Sequence, residues 1–378
     1  MKIEIDKQKL RKDIAISVVL YILPIALMLG FFAISGQQPW NNSLTTVADH
    51  AKNDPGLFGW ITAVFQNMRS WGLTVLVLAL GVLELTLGLY DDDKWTKNEK
   101  TLDIVCFVLP KLVVAPITAY FSLQFLPYIL PDSRNLFAWV PFWWGFVIIA
   151  VADDLTQYWY HRLHHQVPFL WKFHRTHHSA PYMGMAMASR QNIVYTFFFS
   201  QTYLTATLVY LGLGFPALFV RVIKSVITTL AHSSIAWDKP LYRIKWLHPV
   251  AWVLERLIST PATHHAHHAA TTNDGVGHYK GNFGNMFFIW DMIFKTGIIS
   301  RRFPAAYGMK TYQQEEWQAQ IFWPFIKSKK EGSALADEKL QNLKPEFQPA
   351  REAEPEPVFE TTIYVGINEY DDVAVINK

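Results

Sequence analysis

Three short stretches of this chain carry histidines at spacings that a helix would gather onto one side. The first is Asp153-Asp154-Leu-Thr-Gln-Tyr-Trp-Tyr-His161-Arg-Leu-His164-His165. If it is helical, His161 and His165 are one turn apart on the same face. Asp154 lies two turns earlier on roughly that face, where it could orient a ligand from behind. The second stretch is Trp171-Lys-Phe-His174-Arg-Thr-His177-His178-Ser179. Its spacings of three and four put all three imidazoles within about a 100° arc. The third, Thr260-Pro261-Ala-Thr-His264-His265-Ala-His267-His268, repeats the offsets at His264, His267 and His268, and Pro261 suits a helix start. His232 lies between the second and third stretches and could complete the set.

Such a set points to metal. Of 14 histidines, all but His50 fall between His161 and His278. Two metal ions that bind O2 together need several neutral donors and open positions for oxygen and substrate. Eight or nine imidazoles exceed what one four-coordinate zinc takes and suit two ions of higher coordination. Imidazole accepts Fe, Zn, Cu and Ni, so ligand type alone does not choose the metal. Cys106 is the only cysteine, which excludes intramolecular disulfides, thiolate cages and Fe–S clusters. A metal-free interfacial role would need a separate reason for each of the three stretches. His248, before Pro249, reads as structural, and His50 as a solvated loop residue. Met183, Met185 and Met187 alternate as packing residues or the walls of an apolar tunnel.

The elements that must position these histidines read as membrane helices. Hydrophobic residues make up 51% of the 378-residue chain and charged residues 17%, with 15 Trp, 16 Tyr and 26 Phe. That balance suits a chain lying largely in or against a bilayer. The net charge of +3, without a basic stripe, implies no nucleic-acid partner. Residues 15–34 carry no charge and are long enough to cross roughly 30 Å of hydrocarbon. Residues 73–90 form a second span interrupted only by Glu84, which lines a substrate path or sits near the interface. Residues 104–130, broken by Pro110, Lys111, Pro116 and Pro127, read as a kinked span or re-entrant hairpin. Residues 136–152 are a fourth span, with Trp139, Trp143 and Trp144 as an interfacial belt.

Residues 193–220 are another uncharged run, followed by a shorter apolar piece that ends near His232. For the histidines on either side to meet, this region must leave and re-enter one face, turning near Gly212-x-Gly214-x-Pro216. The basic residues Lys2 to Lys12 and Lys94 to Lys100 make the histidine-bearing face cytoplasmic. The expected architecture is all-α and integral to the membrane, with four or more transmembrane helices and a cytoplasmic helical domain holding a histidine-ligated di-metal centre. The expected divisions are membrane spans at 1–152, a histidine-box catalytic domain with an intervening membrane hairpin at 153–300, and a polar C-terminal tail at 301–378.

The histidine pattern resembles the fatty acid hydroxylase/sterol desaturase superfamily of membrane di-iron enzymes. The likeness runs from Tyr158 through Ser179, includes Thr260-Pro261 before the last box, and extends through Asn282-Phe-Gly284 to Trp290-Asp291-x-x-Phe294. It covers about residues 153–296 and the preceding spans. It implies metal ligands at His161, His165, His174, His177, His178, His264, His267 and His268, with His232 as a ninth. His164 and His265 stand where the family commonly has other residues. Ser234 replaces an Asn that many members carry after the isolated histidine. An insertion around residues 271–278 contains His278, which has no family counterpart.

The resemblance implies an O2-dependent oxidoreductase with two iron ions that hydroxylates or desaturates a lipid C–H bond. No dinucleotide fingerprint or haem-binding domain is evident, so electrons are expected from an external donor: a reductase with a ferredoxin or small cytochrome. The competing readings are a histidine-rich membrane transition-metal transporter and a membrane zinc hydrolase. The former would place histidines inside spans along a path, and the latter lacks a His-Glu-x-x-His.

Overall fold

The computed structural model describes Glu84, residues 94–309, 314–331 and 333–336. The expected spans at 15–34 and 73–90 lie outside these residues except for Glu84, as do His50 and the chain beyond residue 336. Among the described residues the chain is helical, with two isolated β-bridges, Ala269 with Tyr307 and Ser328 with Ala336. Helix α1 is Lys97–Tyr120, extended by a π-helical turn at Phe121–Phe125 and by α2, Leu126–Ile129. Then follow α3 (Phe142–Gln166), α4 (Pro168–His178), α5 (Ile193–Phe197), α6 (Ser200–Leu208) and α7 (Gly214–Ala231). Short helices complete the described chain: α8 (Lys239–Arg243), α9 (His248–Leu257), α10 (Pro261–His267), α11 (Ile289–Ile293) and α12 (Trp317–Phe322).

Two helical stretches, Lys97–Ile129 and Ile193–Ala231, are long and apolar enough to cross a membrane. The first runs through Pro110 and Pro116 as one helix and is not a hairpin. Each proline removes one ladder bond, and a π-helical turn follows them. Helices α1 and α3 both leave large apolar side chains bare, including Ile104, Val108, Trp143, Trp144 and Val147. Faces of that kind suit lipid better than water.

The second stretch is an out-and-back hairpin. It turns at Gly212, whose φ of +110° is disfavoured for a side-chain-bearing residue. A Cβ there would also run into the backbone of Ala138. The turn is held to the chain before α3 by Asn135 N–H to Tyr210 O and Phe137 N–H to Leu211 O. Both arms, α6 and α7, pack along α3. The crossing is close where Gly145 meets Pro216, and the core there is Ile149, Ala150, Leu213, Ala217, Val220 and Met286. The hairpin therefore starts and ends near the same end of α3, as the histidine positions require.

The folded unit does not stop at residue 300. Residues 314–336 look polar in sequence, yet they pack against the second histidine stretch. Arg175 and Glu315 form a fully buried ion pair at 2.5 Å, and Thr176 donates to Gln320 O at 2.8 Å. Asn192 donates to the carbonyl of Trp323 at 2.9 Å, and Leu335 is buried with Phe173, Tyr195 and Trp323. The polar residues here are consumed by long-range pairing, which composition cannot reveal. The structured unit reaches at least Ala336, well into the segment expected to be a tail.

Candidate metal centre

Helix α3 ends at Val167 because Pro168 disfavours α geometry in the residue before it and then opens α4. The sharp joint folds the last turn of α3, with His161 and His165, onto α4, with His174, His177 and His178. Helix α10 starts at Pro261 behind a capping box formed by Thr260 and Thr263. Asp238 accepts the N–H of Ala262 at 2.8 Å and fixes that start in place. His232 caps the C-terminus of α7.

These elements bring nine histidines into two groups, buried except for a partly buried His165. One contains His161, His165, His174, His178 and His267; the other contains His177, His232, His264 and His268. Within each group the candidate ligand atoms all lie within 4.8 Å of one another. The two groups touch, with His177 and His178 ring centroids 4.6 and 4.3 Å from that of His268.

Hydrogen bonds fix the tautomers of several rings. His161 and His267 donate Nδ1–H to the carbonyls of Phe283 and Gly281, each at 2.7 Å. His232 donates to Thr228 O at 2.7 Å and His177 to Arg190 O at 3.2 Å. A neutral imidazole that donates at Nδ1 carries a bare lone pair at Nε2. Yet the Nε2 atoms of His161 and His267 face each other at 3.1 Å, and those of His232 and His177 at 3.2 Å. No proton is available to bridge them. Burial pushes His177 and His267 well below the ordinary value, helped by neighbouring imidazoles, and takes His161 to about 3 and His232 to about 4.

Further buried nitrogens have no hydrogen-bond partner: Nε2 of His165 and His178, both nitrogens of His174, and Nδ1 of His264. Each would cost about 1–3 kcal/mol if left bare. Opposed lone pairs and orphaned nitrogens in a buried, neutral donor set fit cations, and the residues present suit a metal in each group. The ring of His174 is held without a hydrogen bond, stacked on Tyr195 at 4.8 Å.

The remaining described histidines lie outside both groups. His265 uses both nitrogens, toward Tyr307 Oη at 2.9 Å and Ser233 O at 3.0 Å. His164 donates to Tyr160 O at 2.7 Å, and His248 to Tyr242 O at 2.9 Å. His278 donates to Thr296 O at 3.1 Å. Asp154 was expected to orient a ligand histidine but touches none. Its Oδ2 accepts Phe287 N–H at 2.9 Å and Trp290 Nε1–H at 3.0 Å, so it anchors the chain before α11.

The orienting role falls to residues whose part was not read from sequence. Asp291 accepts the N–H groups of Phe283 (2.8 Å) and Gly284 (2.6 Å), and Asn282 donates to Thr263 O (2.8 Å) and Ile298 O (3.0 Å). Together they rigidify the loop whose carbonyls hold His161 and His267. Gly281 is required there, because a Cβ would collide with Thr296 O and the His278 ring. The motif Asn282-Phe-Gly284 to Asp291 was visible, but not which atoms it served.

Glu84 is the carboxylate expected to line a substrate path or to sit near the interface. It is fully buried and accepts Ser234 N–H (2.7 Å), Ser234 Oγ–H (2.9 Å) and Ser233 Oγ–H (3.1 Å), plus Met185 N–H (2.6 Å). It grips the turn that follows His232. Ser234, the departure from the resembled pattern, is thereby given a partner. Met183, Met185 and Met187 are all buried in packing clusters.

The described fold is helical, with two stretches long and apolar enough to cross a membrane, and it gathers nine histidines into two groups that could each hold a metal ion. Residues 146–296 match the family model described as fatty acid hydroxylase, the family that the histidine pattern resembles. That family is one of lipid-modifying oxidoreductases. No curated protein and no solved structure matches the chain.

Proposed function

We propose that this chain is an O2-dependent oxidoreductase that hydroxylates or desaturates a lipid C–H bond with two iron ions, one in each histidine group. The observation that carries the reading is the pair of opposed Nε2 lone pairs, His161 with His267 and His232 with His177. Two such pairs in touching groups support two ions rather than one. Bound iron supplies the O2 and one-electron chemistry that an unactivated C–H bond demands. The protein holds the donors, sets their tautomers through backbone carbonyls and excludes bulk water from the buried imidazoles. A cavity of about 370 Å³ is lined by His161, His174, His177 and His232 at one end and by residues of α1 and α7 further along. It supports entry of an elongated substrate. Electrons come from an external reductase with a ferredoxin or small cytochrome.

The proposed topology is multi-pass, with the histidine groups on the cytoplasmic face. Lys94, Lys97 and Lys100 flank the end of α1 nearest the histidines and support that orientation. Elemental analysis of the purified chain should give two Fe per polypeptide, and supplied ferredoxin and reductase should drive O2 consumption with oxidised lipid as product. One zinc per chain, or metal uptake without O2 consumption, would sink the reading. Orientation has its own check: single cysteines at Gln166 and Asn273, in a Cys106→Ser background, should resist an impermeant thiol reagent in intact cells. Labelling of both from outside would reverse the orientation alone.

A further inference from the structure

Helix α9 and the turn before it, Lys245–Leu247, leave an apolar surface bare on the outside of the fold. Val250, Val253 and Leu257 recur at spacings of three and four, so they form one stripe, and all three are exposed. Trp246 is 77% exposed and Trp252 54%, and Ile293 of α11, which packs beside α9, is bare as well. The opposite face is held in place. Ala251 is buried with Tyr242 and Ala262, and Glu255 accepts from two nitrogens of Arg301 at 2.8 and 2.9 Å. The stripe therefore belongs to an anchored element and is presented outward.

Charge tells what lies against it. Between residues 239 and 257 stand four cations, Lys239, Arg243, Lys245 and Arg256, and one acid, Glu255, which is buried. Bare indoles and aliphatic side chains flanked by cations suit a helix lying flat at the boundary between headgroups and acyl chains. Position agrees. Leu257 O accepts Phe288 N–H at 2.9 Å, and Ser259 N–H donates to Met286 O at 3.0 Å. Met286 is itself buried with Ile149 of α3 and with Ala217 and Val220 of α7. The end of α9 is thus fastened against α3 and the hairpin that is long enough to cross a membrane.

We infer that α9 and the turn before it form an in-plane anchor that lies in the headgroup layer of a bilayer and prefers anionic lipids. The inference stands apart from the reaction proposed above. The apolar stripe enters the upper acyl region, roughly 5–10 Å deep, while the cations reach back toward phosphate. Only Ile258, Ser259 and Thr260 separate α9 from α10, so the anchor sets the height of the third histidine stretch over the membrane.

Nitroxide labels test the placement without requiring turnover. Val250→Cys and Val253→Cys, each in a Cys106→Ser background, are labelled in the full chain. The protein is reconstituted into vesicles of phosphatidylcholine, with or without phosphatidylglycerol at one part in three. Collision with O2, which concentrates among acyl chains, is compared with collision with a water-soluble nickel chelate. A label at the exposed Asn273 is the aqueous reference. Both stripe labels should give an O2-to-nickel ratio at least fivefold above that reference, and phosphatidylglycerol should raise it about twofold further. Arg243→Gln/Lys245→Gln, which neutralises two exposed cations, should remove most of the rise and leave the ratio in phosphatidylcholine alone unchanged. A ratio equal to the reference overturns the anchor. No rise with phosphatidylglycerol, or a rise that survives the double variant, overturns the preference for anionic lipid. Exclusion of both reagents overturns the anchor too: spectral broadening relieved by unlabelled chain identifies a second copy over the stripe, and its absence a segment of this chain.

Discussion

The two histidine groups are built from the same boxes but are held by different parts of the chain. The group of five is anchored from within the catalytic segment: His161 and His267 donate to a loop fixed by Asp291 and Asn282. The group of four leans on the membrane part. His177 donates to the carbonyl of Arg190, whose guanidinium pairs with Glu99 and, at 3.5 Å, with Asp103 of α1. The turn after His232 is gripped by Glu84, far upstream. The direct contacts of the group of five thus come from the loop at residues 281–284, whereas those of the group of four reach α1 and Glu84.

The sharpest way to break this comparison is to remove one donor from each group. His174→Ala or His267→Ala should abolish turnover, and so should His264→Ala, with losses of a thousandfold or more expected where a ligand is deleted. The groups should differ in what metal remains: each variant should keep the ion of the intact group when Fe is counted per chain. Loss of all metal from either variant would show one cooperative site and erase the distinction.

Smaller effects come from the residues that orient the donors. Glu84→Gln keeps the size of the side chain but removes the charge that accepts four donors, so it should weaken the group of four selectively. Asp291→Asn should do the same to the group of five. Losses of about 10–100-fold in metal affinity are typical for such partners. If Glu84→Gln depletes both groups equally, the division of support proposed here is wrong.

Much of this centre was legible because helix geometry is local. The pairs His161/His165, His174/His178 and His264/His268 are each one turn apart, and each pair stays within a single group. The third histidine of each later box, His177 or His267, crosses to the other group, which spacing alone did not disclose. Gly212 as the hairpin turn was also legible, since a glycine-rich break in an apolar run has few alternatives. Long-range acceptors were not. Nothing near Glu84 in sequence points to Ser233, and nothing near Glu315 points to Arg175. Asp154 sits on the expected face but spends its oxygens on Phe287 and Trp290.

The segment after residue 313 sharpens the contrast from outside, because it covers α4, whose histidines serve both groups. Truncation after Ala336 should leave metal content unchanged, whereas truncation after Lys330 removes buried Leu335 and Ser333, the partner of Glu315. Glu315→Ala should cost about 3–5 kcal/mol by leaving Arg175 buried and unpaired. Denaturant unfolding of the detergent-solubilised protein would measure it. A change below 1 kcal/mol would mean that the segment merely rests on the surface of α4.

Asp238 should give the smallest effect, and one that does not discriminate between the groups. It supports the start of α10, which supplies His264 and His268 to one group and His267 to the other. Burial pushes its carboxyl up to about 6, although the N–H of Ala262 and the hydroxyls of Thr260 and Tyr242 pull the other way. A carboxyl that binds its proton more tightly when folded contributes stability that is fully present below the unfolded value near 4. That contribution is lost as pH rises through about 6, because the buried group must then ionise. The difference across this window is on the order of 2–3 kcal/mol for a shift of this size. Asp238→Asn should therefore flatten the dependence of unfolding free energy on pH between 4 and 6, compared with the parent protein. It should also leave the Fe remaining in the two groups in equal proportion. A variant that keeps the full pH slope would assign the titration to another buried acid, with Asp291, also raised to about 6, as the next to replace.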